Sequence, residues 1–337
     1  MDAGAMTEKP LIHLVNPMEN AVGGSEWRTI ELYRLLAPHA DVRIWSESTP
    51  DPELCRYVPV QRIDPAAGSL PQGGTLLFIG CYRVPGDWLR ASHARRTVLL
   101  YNTPTPRRLT ATAIALSALG ARIEMVYAAA WMRDAVGVPG FVHASPIDLT
   151  RFRPISERAP GAFRIGRLSR DTADKHHAPD IALYRHLAQR GCHVRIMGGM
   201  VLAPQLAETP GIELMPAGHE PPEAFLRHLD CFYFRSSDAR VEPSGRVVME
   251  AMACGIPVVA HRRGGYAEWI EHGTDGLLFD TREQAAAMLL ALKDDPDLRA
   301  ALGQAARRKM ETTYSAEEMR ALVAFYTAAE AVPPPAG

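Results

Sequence analysis

Short apolar runs alternate with longer stretches whose apolar residues recur at helical spacing. PLIHLVNP (10–17) reads as a buried strand ending in a turn. The segment Ala21-Val-Gly-Gly-Ser-Glu26 leads into WRTIELYRLLAPHA, where Ile30, Tyr33, Leu35 and Leu36 fall near helical spacing, and DVRIWSE (41–47) is the next strand. TLLFIG (75–80), TVLLYN (97–102) and EMVYAA (124–129) extend the same sheet, and 109–120 is an Ala-rich helix expected to pack on the core. The order β-loop-α-β predicts an α/β, doubly wound parallel sheet. A second set follows: AFRIGRLSR (162–170), CHVRIMGG (192–199), a strand in GIELMPAGHE (211–220), CFYFRSS (231–237) and VVA (258–260). Two helices then run through 281–314, and a last one covers 316–329. Pro154 and Pro160 with polar residues between them mark a linker. The expected division is 1–155, 156–315, and a C-terminal helix over 316–330.

The richest chemistry lies in Glu242–Gly265, EPSGRVVMEAMACGIPVVAHRRGG. Gly245 releases the chain into a helix, Gly255 and Pro257 stop it, and a short strand and a Gly-Gly turn follow. A glycine at a helix start lets a ligand approach the exposed N–H groups of Gly245, Arg246 and Val247, where the helix dipole favours a phosphate. Glu242 lies just outside that pocket and Glu250 over a turn inside the helix. Two carboxylates beside a phosphate are repelled by it and suit hydroxyls instead. Together these features point to a sugar nucleotide.

Composition narrows the picture. A chain of 337 residues suits two domains, and a formal net charge of −1 argues against bulk nucleic-acid binding. Five scattered cysteines without a C-x-x-C pair fit free thiols in a reducing cytoplasm, and no structural zinc or other metal is expected. No secretory pattern opens the chain and no apolar run is long enough to span a bilayer. Gly23-Gly24 is not G-x-G-x-x-G, so dinucleotide binding ranks low.

Glu242-x7-Glu250 continuing into EAMACGIPVVA, then GGYAEWIEHGTDGLLF to Phe279, resembles the donor-site signature of retaining GT-B glycosyltransferases of glycosyltransferase family 4. The resemblance implies two Rossmann-like domains facing across a cleft, with the nucleotide sugar on the second. It also implies that Arg167, in Gly-Arg-Leu, and Lys175, after a longer gap than usual, bind the donor diphosphate. Glu242 would hold the sugar and Glu250 the ribose. Gly23 and Gly24 would face the donor phosphate and the acceptor. Asn102 stands where the family often places a His; it hydrogen-bonds a hydroxyl but shuttles no proton. Ser145-Pro-Ile-Asp148 with Phe152 and Pro154 matches the family's passage between domains. The implied reaction is retaining and metal-independent. It needs no cofactor beyond a UDP-, GDP- or ADP-sugar donor and takes a hydroxyl-bearing glycan, glycolipid or small molecule as acceptor. The same resemblance implies a cytoplasmic enzyme of polysaccharide or glycolipid assembly, with room for weak peripheral contact at the inner membrane face. Two rivals stay open: a sugar-nucleotide epimerase or hydrolase, which would need no acceptor, and a non-catalytic sugar-nucleotide-binding subunit.

Overall fold

The computed structural model describes residues 9–155 and 161–334. Pro160 and the first residues after the expected 155/156 boundary lie outside them. The chain forms two compact units, Met1–Pro146 with Ala316–Gly337, and Ile147–Ser315. The passage near Pro146 has a local cause. Asp148 Oδ1 accepts the Thr150 N–H at 2.8 Å, and Phe152 is buried in the second unit with its carbonyl held by Arg307 Nη1 at 2.8 Å.

The first unit contains β1 (Leu11–Val15), β2 (Asp41–Ser46), β3 (Val60–Arg62), β4 (Thr75–Ile79), β5 (Arg96–Tyr101), β6 (Ile123–Tyr127) and β7 (Phe141–Val142). Their order is β3-β2-β1-β4-β5-β6-β7, every pair parallel. In β4 and β5 every residue is buried, the expected state of central strands covered on both faces, which is why they stand out as near-continuous apolar runs. The helix Pro106–Ser117 starts three residues before the expected Leu109, because Pro106 fits the first helical position. Arg107 and Arg108 therefore sit in its first turn, and only Thr112 and Leu116 are fully buried, while Ile114 remains exposed. The helix Ala316–Thr327 contributes Phe325 and Tyr326 to this unit's core. A buried Arg96–Glu124 pair anchors it: Nε and Nη2 donate to the two carboxylate oxygens at 2.6 and 2.8 Å, and Nη1 reaches the Phe325 carbonyl at 2.7 Å.

The second unit contains β8 (Phe163–Leu168), β9 (Cys192–Met197), β10 (Ile212–Met215), β11 (Cys231–Phe234), β12 (Val258–His261) and β13 (Leu277–Phe279). The order is β10-β9-β8-β11-β12-β13, again all parallel. In both sheets the winding direction reverses, between β1 and β4 and between β8 and β11. Open parallel sheets bind ligands at the carboxyl ends of strands beside such a reversal. Among the described residues no helix is long and apolar enough to cross a membrane.

Candidate active site

At the reversal in the second unit, the loop leaving β8 meets the loop leaving β11. The short turn Ala173–Lys175 carries Lys175 inward, and Ser237 N–H donates to the Asp174 carbonyl at 3.2 Å, tying the loops together. Lys175 Nζ then lies 2.6 Å from Glu242 Oε2, both side chains nearly buried. Burial pulls the Lys175 ammonium pKa down, and the Glu242 charge offsets this only in part. Burial pushes the Glu242 carboxyl up, but the Lys175 charge and hydrogen bond, with Arg240 and Arg170, outweigh it and hold it below the usual range. Glu242 is therefore a carboxylate. Its Oε2 is shared with Arg240 Nε at 3.6 Å, and its Oε1 accepts no hydrogen bond within the described residues.

Arg167, at the end of β8, lies beneath this loop and is 1% exposed. Nη2 donates to the Lys175 carbonyl, and the guanidinium carbon lies 5.3 Å from the centre of the Phe234 ring. Nε and Nη1 are buried with no hydrogen-bond partner among the described residues. An arginine held in this way attracts anions, because a buried cation with unmet donors is costly. His176 follows Lys175 in the same loop. It is buried, its Nε2 meets the Gly198 carbonyl at 2.8 Å, and burial followed by the Arg167 charge lowers its pKa to about 4. His177 is the one at the helix start, 3.1 Å from Asp180 Oδ1.

Gly245 precedes the helix Arg246–Ala253 with φ 60°, and a Cβ there would lie 2.6 Å from the Tyr266 ring, so only glycine fits. No side chain caps this helix and no acidic residue sits in its first turn, so its positive end suits an anion. The Gly265 N–H donates to the Glu242 carbonyl at 2.9 Å, which fixes the turn bearing Tyr266 against Glu242. Val247 is half-buried in the first turn. The Arg246 side chain is engaged within the helix: Nε donates to Glu250 Oε1 at 2.7 Å, both groups buried. The i, i+4 spacing foretells that pair. Arg240 and Tyr266 have no such sequence signal, since they reach the site from separate loops.

In the first unit Gly23 precedes the helix Gly24–Leu36, so Gly24 is its first residue and not part of the loop. Glu26 folds back so that a Cβ on Gly23 would lie 2.1 Å from its Oε2, whereas Gly24 has open space. A carboxylate thus covers Gly23, which disfavours a phosphate there. Asn102 follows β5; its Nδ2 donates to Ser25 Oγ at 3.3 Å, and Tyr82 Oη donates to its Oδ1 at 3.2 Å. Asn16, following β1, donates to the same Ser25 Oγ at 2.7 Å. A cavity of 410 Å³ lined by Pro17, Glu19, Glu26, Tyr82, Arg83 and Arg108 belongs to this unit. Asn16, Ser25 and Tyr82 escape sequence reading, although Asn16 occupies the informative place just after a strand.

Among the described residues no group of three His, Cys, Asp or Glu side chains could hold a metal ion. Residues 212–309 match the family described as glycosyl transferases group 1. A D-inositol 3-phosphate glycosyltransferase of Arthrobacter sp. (strain FB24) is 48% identical over 81 residues, 22% of this chain and 19% of that one. A D-inositol 3-phosphate glycosyltransferase of Rhodococcus jostii (strain RHA1) is 33% identical over 198 residues, 50% of this chain and 43% of that one. The chain thus spans about a fifth of the first relative's length and under half of the second's. The crystal structure of Anabaena HepE in complex with UDP-glucose superposes with a TM-score of 0.73 at 16% identity, over 94% of this chain and 98% of that one. At that identity the likeness shows the fold. Residues 212–309 thus resemble the group 1 glycosyl transferases, and the two parallel α/β units that make up the chain have the GT-B fold.

Proposed function

We propose that the chain transfers a hexose from a nucleoside-diphosphate sugar to a hydroxyl group, with retention at the anomeric carbon and without a metal ion. The observation that supports this most is the Lys175–Glu242 pair at the β8/β11 reversal, beside the uncapped helix start at Gly245. The bond from the anomeric carbon to the diphosphate oxygen breaks, and its electron pair leaves with the diphosphate. Lys175 and the N–H groups of Arg246 and Val247 receive that growing charge. Arg167 adds its charge from beneath the loop and holds the Lys175 carbonyl in place. Glu242 accepts hydrogen bonds from the donor sugar's hydroxyls through Oε1, and Glu250, oriented by Arg246, accepts those of the ribose. Gly24 and Asn102 are assigned to the acceptor. Gly23 is assigned only to shaping the turn, because Glu26 covers it. The acceptor oxygen attacks on the face the diphosphate leaves, and its proton passes to the departing phosphate oxygen. That HepE was crystallised with UDP-glucose supports a nucleotide sugar as donor.

Comparing two substitutions tests the division of roles. Glu242→Ala is expected to lower turnover by about a hundredfold, roughly 3 kcal/mol of transition-state stabilisation, with nucleotide affinity unchanged or raised. Glu250→Ala is expected to weaken nucleotide binding about tenfold, ~1.4 kcal/mol. If both substitutions weaken nucleotide binding equally and leave turnover intact, the assignment is wrong.

A further inference from the structure

One carboxylate oxygen, Glu242 Oε2, is addressed by two cations: Lys175 Nζ at 2.6 Å and Arg240 Nε at 3.6 Å. Arg240 Nε is buried and makes no hydrogen bond within the described residues. The rest of Arg240 is fixed. Nη1 donates to Asp174 Oδ2 at 2.9 Å, and its carbonyl accepts from Ser236 Oγ at 3.0 Å. The groups that face Glu242 are Lys175 and Arg170 from the loop after β8, Arg240 from its own loop, and Tyr266 from the turn after β12; Asp174 faces the same three cations, Arg240, Lys175 and Arg170.

A diphosphate entering this site competes with Glu242 for Lys175. A nearly buried carboxylate stripped of its only close partner is costly, and it responds by taking up a proton. Protonated, it turns one acceptor oxygen into a donor and accepts less readily from a sugar hydroxyl. Arg240 is poised to prevent this, since closing from 3.6 Å to the roughly 2.9 Å of a hydrogen bond needs only a small rotation. We infer that Arg240 is a positioning residue that keeps Glu242 ionised and aligned when the donor's diphosphate draws Lys175 away. The inference rests on the donor-site reading above. It gives the second unit a relay of counter-ions: Lys175 passes from carboxylate to phosphate, and Arg240 takes its place. The alternative role for Arg240 is a loop clamp acting through Asp174, and the two roles predict different protonation behaviour.

The test is calorimetric titration with UDP, GDP and ADP at pH 7, in two buffers of different ionisation enthalpy. Comparing the buffers gives the number of protons exchanged on binding. The wild type is measured beside Arg240→Gln, Arg240→Lys and Asp174→Asn. With the wild-type proton count subtracted, Arg240→Gln is expected to take up an additional fraction of a proton approaching one, and its affinity should fall relative to wild type as pH rises from 6 to 8. Arg240→Lys, which restores a cation, should return to the wild-type count. Asp174→Asn, which loosens the loop but keeps the charge beside Glu242, should match the wild type. An unchanged proton count in Arg240→Gln overturns the proposal, as does an equal change in Asp174→Asn. If the wild type binds none of the three nucleotides, the donor-site reading fails and takes this inference with it. An unchanged proton count in Arg240→Gln alongside normal wild-type binding removes only the role given to Arg240.

Discussion

The two units carry the same sheet reversal but equip it differently. In the second, the strand ends meet in a cluster of charge: buried Arg167 and Lys175 and the nearly buried Glu242, flanked by the part-exposed Arg240 and Asp174. In the first, they meet in a neutral network in which Asn16 and Asn102 both donate to Ser25 while Tyr82 donates to Asn102. The close ion pair there, Arg83–Glu19, is about half exposed, so solvent screens it. One topology thus offers two crevices, and the side chains decide what each can hold. Buried cations suit a diphosphate, whereas amides and hydroxyls suit a neutral hydroxyl compound. Fold alone would not separate the two.

The largest effect expected from that contrast is at the glycines. Gly245→Ala places a Cβ against the Tyr266 ring in a left-handed conformation and should destabilise the second unit by about 2 kcal/mol or more. Gly24→Ala meets open space in a helical conformation and should leave stability unchanged or slightly raised. Denaturant unfolding of both variants checks this, and similar losses in the two would erase the distinction drawn between the loops.

A smaller effect concerns pH. His143 in the first unit is lowered from 6.5 to about 3 by burial and then the Arg28 charge, and His176 in the second to about 4 by burial and then the Arg167 charge. Because the folded values are depressed, each contributes stability that is present above about 6.5 and is lost as pH falls toward the folded value. The first unit therefore weakens over the longer acid window, and Glu242, also depressed, adds to the second unit's loss only below the usual glutamate range of about 4.3. Thermal unfolding as a function of pH should show this, and His143→Phe should flatten the first unit's decline between pH 6.5 and 3 while the second unit's stays. An unaltered profile would contradict the assignment.

What could be read from sequence follows the same physics. Central parallel strands are buried on both faces, so β1, β4, β5, β11 and β12 stand out as apolar runs. The edge strands Val60–Arg62 and Phe141–Val142 are three and two residues long and largely unburied, too short and too polar to signal a period. Pro106 did carry the signal for an earlier helix start, a first-turn proline. At the site, Glu242 and Gly245 can be singled out because they lie in a stretch with fixed spacing and Arg167 because it lies in Gly-Arg-Leu, while Lys175 follows a longer gap than usual. Arg240, Tyr266, Asn16 and Ser25 were not, because their contacts join loops distant in sequence. The Arg246–Glu250 pair lies between these cases: its i, i+4 spacing is visible, but spacing alone does not tell an ion pair from a ligand group.

The most direct test of the claim that the charged crevice of the second unit holds a nucleoside diphosphate is calorimetry of the purified chain against UDP, GDP and ADP, with and without EDTA, beside Lys175→Met. The account predicts that one nucleotide binds with an affinity unaffected by EDTA and that Lys175→Met weakens it at least tenfold, ~1.4 kcal/mol. Binding that EDTA abolishes, or binding of equal strength in Lys175→Met, would contradict it.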